Sequence, residues 1–330
     1  METLVDNLCR WDGVGAGHYE VWYCTMNHRS SGCGFWFRYT MEAPLSVQAP
    51  RRGELWALFF DPARPSSHIA IKESFPIEQF RKGAGEDSIV QIGNHGFGVN
   101  FLRGAAADAD HEMTWDLGFQ PSPTTYHHIP SLLRAALPLK SLVCSPNLDV
   151  RFRGTVRVDG RAFDFQNEPG CQSHLWGKKH AEAWLWLHCN NFADGADTVV
   201  EALAARPKIL GWTLPLTSSV YVRHQGKEYR FNSLQVKNEP AAGQWRFTAA
   251  NSQIRVQGLA QCSSERFVQV TYHDPDGEPC YCCNSEIADF SLELSLKGLT
   301  PSSSTAQARG GAHFEIASRT PNSAVPIYIK

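Results

Sequence analysis

Thr155-Val156-Arg157-Val158, then Asp159-Gly160, then Arg161-Ala162-Phe163-Asp164-Phe165, is a β-hairpin written out in sequence. Two runs of alternating character flank a two-residue Asp-Gly loop. That dipeptide suits a type I′ turn, whose positive φ angles match the twist of antiparallel strands. The same grammar returns in Val220-Tyr221-Val222-Arg223-His224, Gln225-Gly226 and Glu228-Tyr229-Arg230-Phe231. Two hairpins of like design in the two halves point to a duplicated barrel-like unit.

Outward from these hairpins the period-two pattern continues in short aromatic and β-branched runs. Tyr19 to Cys24 and Gly34 to Tyr39 read as strands around the loop 27–32, and Glu54 to Phe60 as a third, ended by Asp61-Pro62. Gln91 to Leu102 holds strand candidates broken by glycines. Phe267 to Tyr272, the turn Asp274-Pro275-Asp276-Gly277, and Phe290 to Leu294 extend the series. Helix is scarce. Ser131 to Ala136, between Pro130 and Pro138, is one short helix. Asp197 to Arg206 carries both signals and is assigned to strand because its neighbours are strands. Thr300 to Gly311, rich in Ser, Ala and Gly, reads as an exposed loop, with Ala312 to Ala317 and Ala324 to Ile329 as terminal strands. The fold class expected is all-β, antiparallel, built as sandwiches or barrels.

A chain of 330 residues exceeds what one hydrophobic core usually serves, so two domains are expected. With 42% hydrophobic and 19% charged residues it is globular in composition, and a net charge of −2 removes the usual basis for nucleic-acid binding. No apolar run is long enough for a transmembrane helix, and Met1 to Arg10 lacks the apolar stretch of a secretory signal, so a cytoplasmic location is expected. The ten cysteines are then read as reduced thiols rather than a disulfide framework. Cys280 and Cys283 have C-x-x-C spacing, but no second pair completes a zinc site, and no metal is expected. Nucleophile-elbow, Walker and dinucleotide fingerprints are absent, which leaves cofactor-free chemistry or binding.

The densest chemistry lies in Gly170-Cys171-Gln172-Ser173-His174-Leu175-Trp176-Gly177 and in Ala181 to Asn190. In a strand, Glu182, Trp184, Trp186, His188 and Asn190 share one face, and Leu185, Leu187 and Cys189 the other. His174 and Trp176 have the same parity. Two indoles with an imidazole, an amide and a carboxylate fit the wall of a small-molecule pocket, since indole faces stabilise developing positive charge. The competing reading is a core whose polar groups satisfy backbone at a domain seam. Glu20 and Trp22 share a face of one strand, and Trp36 and Arg38 a face of the next. Glu20 and Arg38 could pair as a buried ion pair, or Glu20 could be a proton donor with a raised pKa.

These elements resemble the tandem lipocalin-like superfamily of carotenoid 1,2-hydratases, tocopherol cyclases and fungal Diels–Alderases. The resemblance rests on Tyr19-Glu20 with Phe35-Trp36-Phe37-Arg38-Tyr39, Glu54-Leu55-Trp56, and Ser145-Pro146-Asn147. It rests also on Gly170-x-x-x-His174-x-Trp176-Gly177, Trp184-x-Trp186-x-His188-x-Asn190, and Asp274-Pro275-Asp276-Gly277 with Asn284-Ser285. It implies two calycin-type barrels, 1–168 and 169–330, with a ligand cavity in or between them and no cofactor. Glu182, His188, Glu20 and Asp274 become the candidate catalytic residues. His174, Trp176, Trp184, Trp186, Asn190, Trp22 and Arg38 become the candidate substrate-binding residues. The activity implied is protonation, cyclisation or hydration of a hydrophobic terpenoid or polyketide-derived alkene. The alternatives are a non-catalytic carrier of a hydrophobic small molecule and an interaction protein with an exposed apolar patch. A homodimer is allowed by this reading and not required by it.

Overall fold

Both hairpins form. The computed structural model describes residues 2–83, 85, 87–193, 197–297 and 302–330. Within it Asp159 and Gly160 hold φ angles of 49° and 78°, and Gln225 and Gly226 hold 50° and 73°. These are the left-handed values a tight hairpin needs, supplied at the second position by a residue without Cβ. The first turn joins the long strands Ser141–Val158 and Arg161–Gly177, and the second joins Thr217–His224 and Lys227–Asn232.

The strands form two nearly closed antiparallel barrel sheets. In the first, His18–His28 lies between Cys33–Ala43 and the returning strand Arg161–Gly177. In the second, Ala183–Cys189 lies between Thr198–Arg206 and the returning strand Ser302–Ser318. Each half therefore closes by bringing its late, long strand back beside its first. The duplication expected from the hairpins is visible in this topology. The chain passes from the first sheet to the second at 178–182, and Arg161–Gly177 belongs wholly to the first sheet. Asp197 to Arg206 is a strand from Thr198, and Ser131–Ala136 is a short helix. The closing strand Ile327–Ile329 pairs within the second sheet, parallel to Val268–His273.

Two sequence expectations are corrected. The stretch assigned to a loop is, from Ser302, the long strand Ser302–Ser318; Thr300 and Pro301 lie outside the described residues. Its inward residues are small because they face large ones: Ala306 lies opposite Leu292 and Ala308 opposite Phe290. Small side chains there fit the barrel rather than mark a loop. The Glu20–Arg38 pair does not form. Glu20 faces the interior of the first barrel, whereas Arg38 pairs in register with Tyr23 and faces outward.

Both barrels are filled. Trp22, Phe35, Phe37, Tyr39, Phe97 and Phe152 pack in the first, and Leu187, Trp245, Phe247, Phe290 and Phe314 in the second. The mouth of the first is covered by the N-terminal helix Glu2–Asn7 and the segment after it. Trp22 Nε1 donates to Asn7 O at 2.9 Å, and Asn7 Nδ2 donates to Gln172 at 3.0 Å. Glu20 accepts from the Arg10 and Trp11 backbone N–H groups at 2.7 and 2.9 Å. Cys280 and Cys282 face outward while Cys283 enters the second core, so the C-x-x-C cysteines sit on opposite faces of one strand.

Candidate functional site

Several strands are apolar on both faces, and the second face decides how the halves meet. Tyr19, Val21, Tyr23, Trp36, Trp56 and Leu58 project from the first barrel. Trp186, Val268, Val270, Tyr272, Cys280 and Ile287 project from the second, and together they form one buried seam. Set into this seam are buried glutamates and histidines, and those around Trp186 fall into two groups. Charges buried at that depth persist only with partners, so their pairing carries information.

The first group gathers on Glu201, at the middle of Thr198–Arg206. Its carboxylate accepts from Trp186 Nε1 at 2.7 Å and His188 Nδ1 at 2.9 Å, and lies 3.2 Å from His128 Nε2. Burial pushes this carboxyl up, but the bonds and charges of His128 and His188 overcome it and hold it at about 2. Burial opposes the charge on His188, yet Cys171 and Glu201 beside it raise it well above the usual range. His188 Nε2 has no hydrogen-bond partner. This is a buried ion pair with one unused N–H.

The second group has the opposite electrostatics. The strand Pro279–Leu296 carries a bulge, where Glu286 and Ile287 together oppose His313 of Ser302–Ser318. A bulge re-aims side chains, and here it aims Glu286 at His313, with Oε1 2.6 Å from Nδ1. Burial raises Glu286 well above the carboxylate range and drives His313 well below the imidazole range. The pair is therefore neutral, a carboxylic acid donating to an unprotonated Nδ1, which leaves the ring proton on Nε2. His313 Nε2 has no hydrogen bond and lies 3.6 Å from Glu315 Oε1. Glu315 accepts from Trp184 Nε1 at 2.9 Å and Asn284 Nδ2 at 3.2 Å. Burial pushes it up to about 7 against those bonds. The three residues form a line of proton-carrying groups, beside a Trp186 ring 4.1 Å from His313.

The expected site residues fall into separate places. Glu20, Trp22, His174 and Trp176 face the mouth of the first barrel. There His174 Nε2 meets Glu20 at 2.9 Å, and Nδ1 donates to Asp6 O at 2.7 Å. Burial raises Glu20, but His174, His18 and backbone N–H groups hold it at about 2, so it is ionised. Trp184, Trp186 and His188 face the seam, and Asn190 donates to Asp149 at 2.7 Å and Gly170 O at 2.9 Å at its edge. Arg38 lies over Tyr272 at 4.4 Å and Trp56 at 5.0 Å. Asp274 receives His180 Nδ1 at 2.6 Å and Arg319 at 2.7 Å, which hold it ionised despite burial. Glu182 is half-buried in the link between the sheets. His174 and Trp176 thus share parity, but not a wall, with the tryptophan strand.

Glu201, His128, Glu286, His313 and Glu315 were not among the sequence candidates. The signal for three of them was present: Glu201 interrupts Val199-Val200-x-Ala202-Leu203, and His313 and Glu315 share one face of an otherwise apolar run. Two clefts open at the seam's edges. One, of about 740 Å³, runs over Tyr126, Leu148 and Tyr221, with Tyr126 4.9 Å from the His128 ring. The other, of about 490 Å³, includes Asn27 and Asn191, and Asn27 Nδ2 donates to Glu286 O at 2.7 Å.

Comparison with known proteins places these elements in context. The model of the tocopherol cyclase-like family matches residues 142–316, a span that carries Glu201, Glu286, His313 and Glu315. The Mycobacterium tuberculosis (strain H37Rv) protein Rv0493c is 26% identical over 89% of this chain and 86% of its own length. Among solved structures, an AttH from Nitrosomonas europaea superposes with a TM-score of 0.55 at 14% identity, covering 92% of each chain. Kievitone hydratase from Nectria haematococca gives 0.54 at 9% identity, covering 96% of this chain and 92% of that one. These two likenesses bear on the fold.

Proposed function

The chain belongs to the tocopherol cyclase-like family, and from that premise we propose that it is a cofactor-independent enzyme that protonates a hydrophobic terpenoid or polyketide-derived alkene, leading to ring closure or addition of water. One observation carries the reading: a buried acid line, Glu286–His313–Glu315, lies among indole rings. Glu315, at about 7, is matched to proton donation near neutral pH, where an acid is most effective. When it gives its proton to an alkene carbon, the neighbouring Trp186 ring offers a π face to the positive charge that forms. The His313 Nε2 proton then replaces the one lost, Glu286 gives its own proton to Nδ1, and the proton released as the ring closes or water adds restores the line. His188, charged and with Nε2 unused, is the second candidate donor. The family name and the kievitone hydratase likeness support cyclisation and hydration as the outcomes.

The substrate is to be sought first as a hydrophobic molecule that copurifies with the chain, identified by extraction and mass spectrometry. Turnover in D2O is expected to place one deuterium on carbon in the product. Glu315→Gln is expected to lower the rate at least about 100-fold, within the range for loss of a general acid. A copurified lipid that never changes or gains deuterium would instead make the protein a carrier. Wild-type turnover in Glu315→Gln would remove this acid from the mechanism.

A further inference from the structure

The 740 Å³ cleft has a charge that the seam chemistry does not use. Its lining includes Arg151, Arg153, Arg223 and Arg230 against Asp149 and Glu228, with Asp197 paired to Arg223 beside it, so positive charge exceeds negative by one (four minus three) on a chain whose net charge is −2. Asp149 is shared by Arg151 at 3.1 Å, by Arg223 and by Asn190, while Arg223 also pairs with Asp197 at 2.7 Å and Arg230 with Glu228 at 3.4 Å. Arg153 has no ion pair or side-chain hydrogen bond among the described residues, and is exposed. Below the arginines lie buried aromatic and aliphatic side chains, with Ser122, Thr124 and Thr125 beside them. Phe119, Leu148, Tyr126 and Tyr221 are each more than nine-tenths buried, and Arg230 lies over the two tyrosine rings at 5.6 and 5.7 Å. Thr125, only 8% exposed, lines the same cleft with its Oγ1 unpartnered.

We propose that this cleft binds an amphiphile with an anionic head, a carboxylate or a phosphate, held by Arg153 and Arg230 with Thr125 as a further donor, and an apolar body laid on Tyr126 and Tyr221. A guanidinium is the side chain that best matches either head, through paired N–H donors. The body points toward the seam, because Tyr126 leads to His128 and Glu201. Only the identity of this ligand as a substrate rests on the function proposed above; the binding itself does not.

Calorimetric titration of the full chain with farnesyl diphosphate, farnesoic acid and farnesol separates head from body. One or both anions are expected to bind at least about tenfold more tightly than farnesol, a difference read directly in Kd. Preference for the diphosphate alone assigns a phosphate head, and preference for both admits a carboxylate. Arg153→Ala is expected to weaken the anions several-fold and leave farnesol unchanged, and Arg230→Ala to weaken the anions several-fold more than farnesol. Equal binding of farnesol and the anions, or wild-type affinity in both variants, would overturn the head-group site. Inorganic pyrophosphate binding as tightly as farnesyl diphosphate would overturn the seat for an apolar body. Glu315→Gln, which ends the proposed chemistry, is expected to keep the head-group preference, so a failed catalytic reading remains distinguishable from a failed binding site.

Discussion

Glu315 and Glu201 are both buried glutamates in one seam, and their neighbours send them in opposite directions. Glu201 has two histidines and is held at about 2; Glu315 has two neutral donors and rises to about 7. The consequence for stability follows from proton counting. Between its ordinary value of 4.5 and about 7, Glu315 binds more proton in the folded state than in the unfolded state. Its contribution therefore falls as pH rises through that window, and the penalty is complete above it. Glu315→Gln removes the titration, and Asn284 Oδ1, which has no partner, is placed to accept from the new amide. The variant is expected to be more stable than wild type by about 2–3 kcal/mol at pH 8 and near equal at pH 4.5. Denaturant unfolding at the two pH values measures this, and a variant weaker at pH 8 would mean that Glu315 is not held neutral by burial. His188 and Trp186 could be picked from the sequence because indole, imidazole and amide shared one strand face. Glu201 and His128 could not be attached to them, since register across three segments decides which carboxylate meets which ring.

At the scale of elements, the N-terminal segment acts as a stopper whose anchor is a single carboxylate. Glu20 takes the backbone N–H groups of Arg10 and Trp11 and the His174 ring, and the Asn7–Gln172–Asn147 amides continue the contact inside the barrel mouth. Glu20→Ala leaves the Arg10 and Trp11 N–H groups and the His174 ring without their acceptor and is expected to cost about 3 kcal/mol. It should also admit early proteolysis before residue 12, followed by mass spectrometry of the clipped ends. Because Glu20 sits at about 2 when folded, its contribution is whole above pH 4.5 and is lost as pH falls from there through 2. A variant with wild-type midpoint and an uncut N terminus would show that the segment is held elsewhere. Most strands were readable because one face met a barrel core and the period of two survived. The exceptions have physical causes. Ser302 to Gly311 looked like a loop because small residues fit opposite Leu292 and Phe290. In Pro279–Leu296 the bulge at 286–287 moves even-numbered residues from the seam, at Cys280 and Cys282, to the core, at Ala288 and Phe290. Constant parity, the assumption behind any reading of faces from sequence, fails at that bulge.

For the whole molecule, the seam makes the two barrels depend on each other. The faces that meet there are not surfaces that water could accept: Trp56, Tyr23 and Leu58 on one side, Trp186, Val270 and Cys282 on the other. Gly34 passes so close to Glu286 that an added Cβ would lie 2.3 Å from the Glu286 Cβ, which shows how tightly the barrels are fitted. The neutral Glu286–His313 pair depends on the same exclusion of water. Opened to solvent, Glu286 would ionise and His313 would regain its ordinary basicity, so parting the barrels would end the acid line as well as the packing. Two domains joined by a small polar contact would unfold separately; two joined by a buried apolar and titratable face should not. Guanidinium unfolding of the full chain is therefore expected to show one transition, with tryptophan fluorescence and far-ultraviolet circular dichroism superimposing. Trp186→Ala, which removes a central ring and one donor to Glu201, should lower the stability read from that single transition by about 3–5 kcal/mol without splitting it. Two resolved transitions in the wild-type chain would mean that each barrel is stable with its seam face exposed, and the acid line would then need a different explanation for its neutrality.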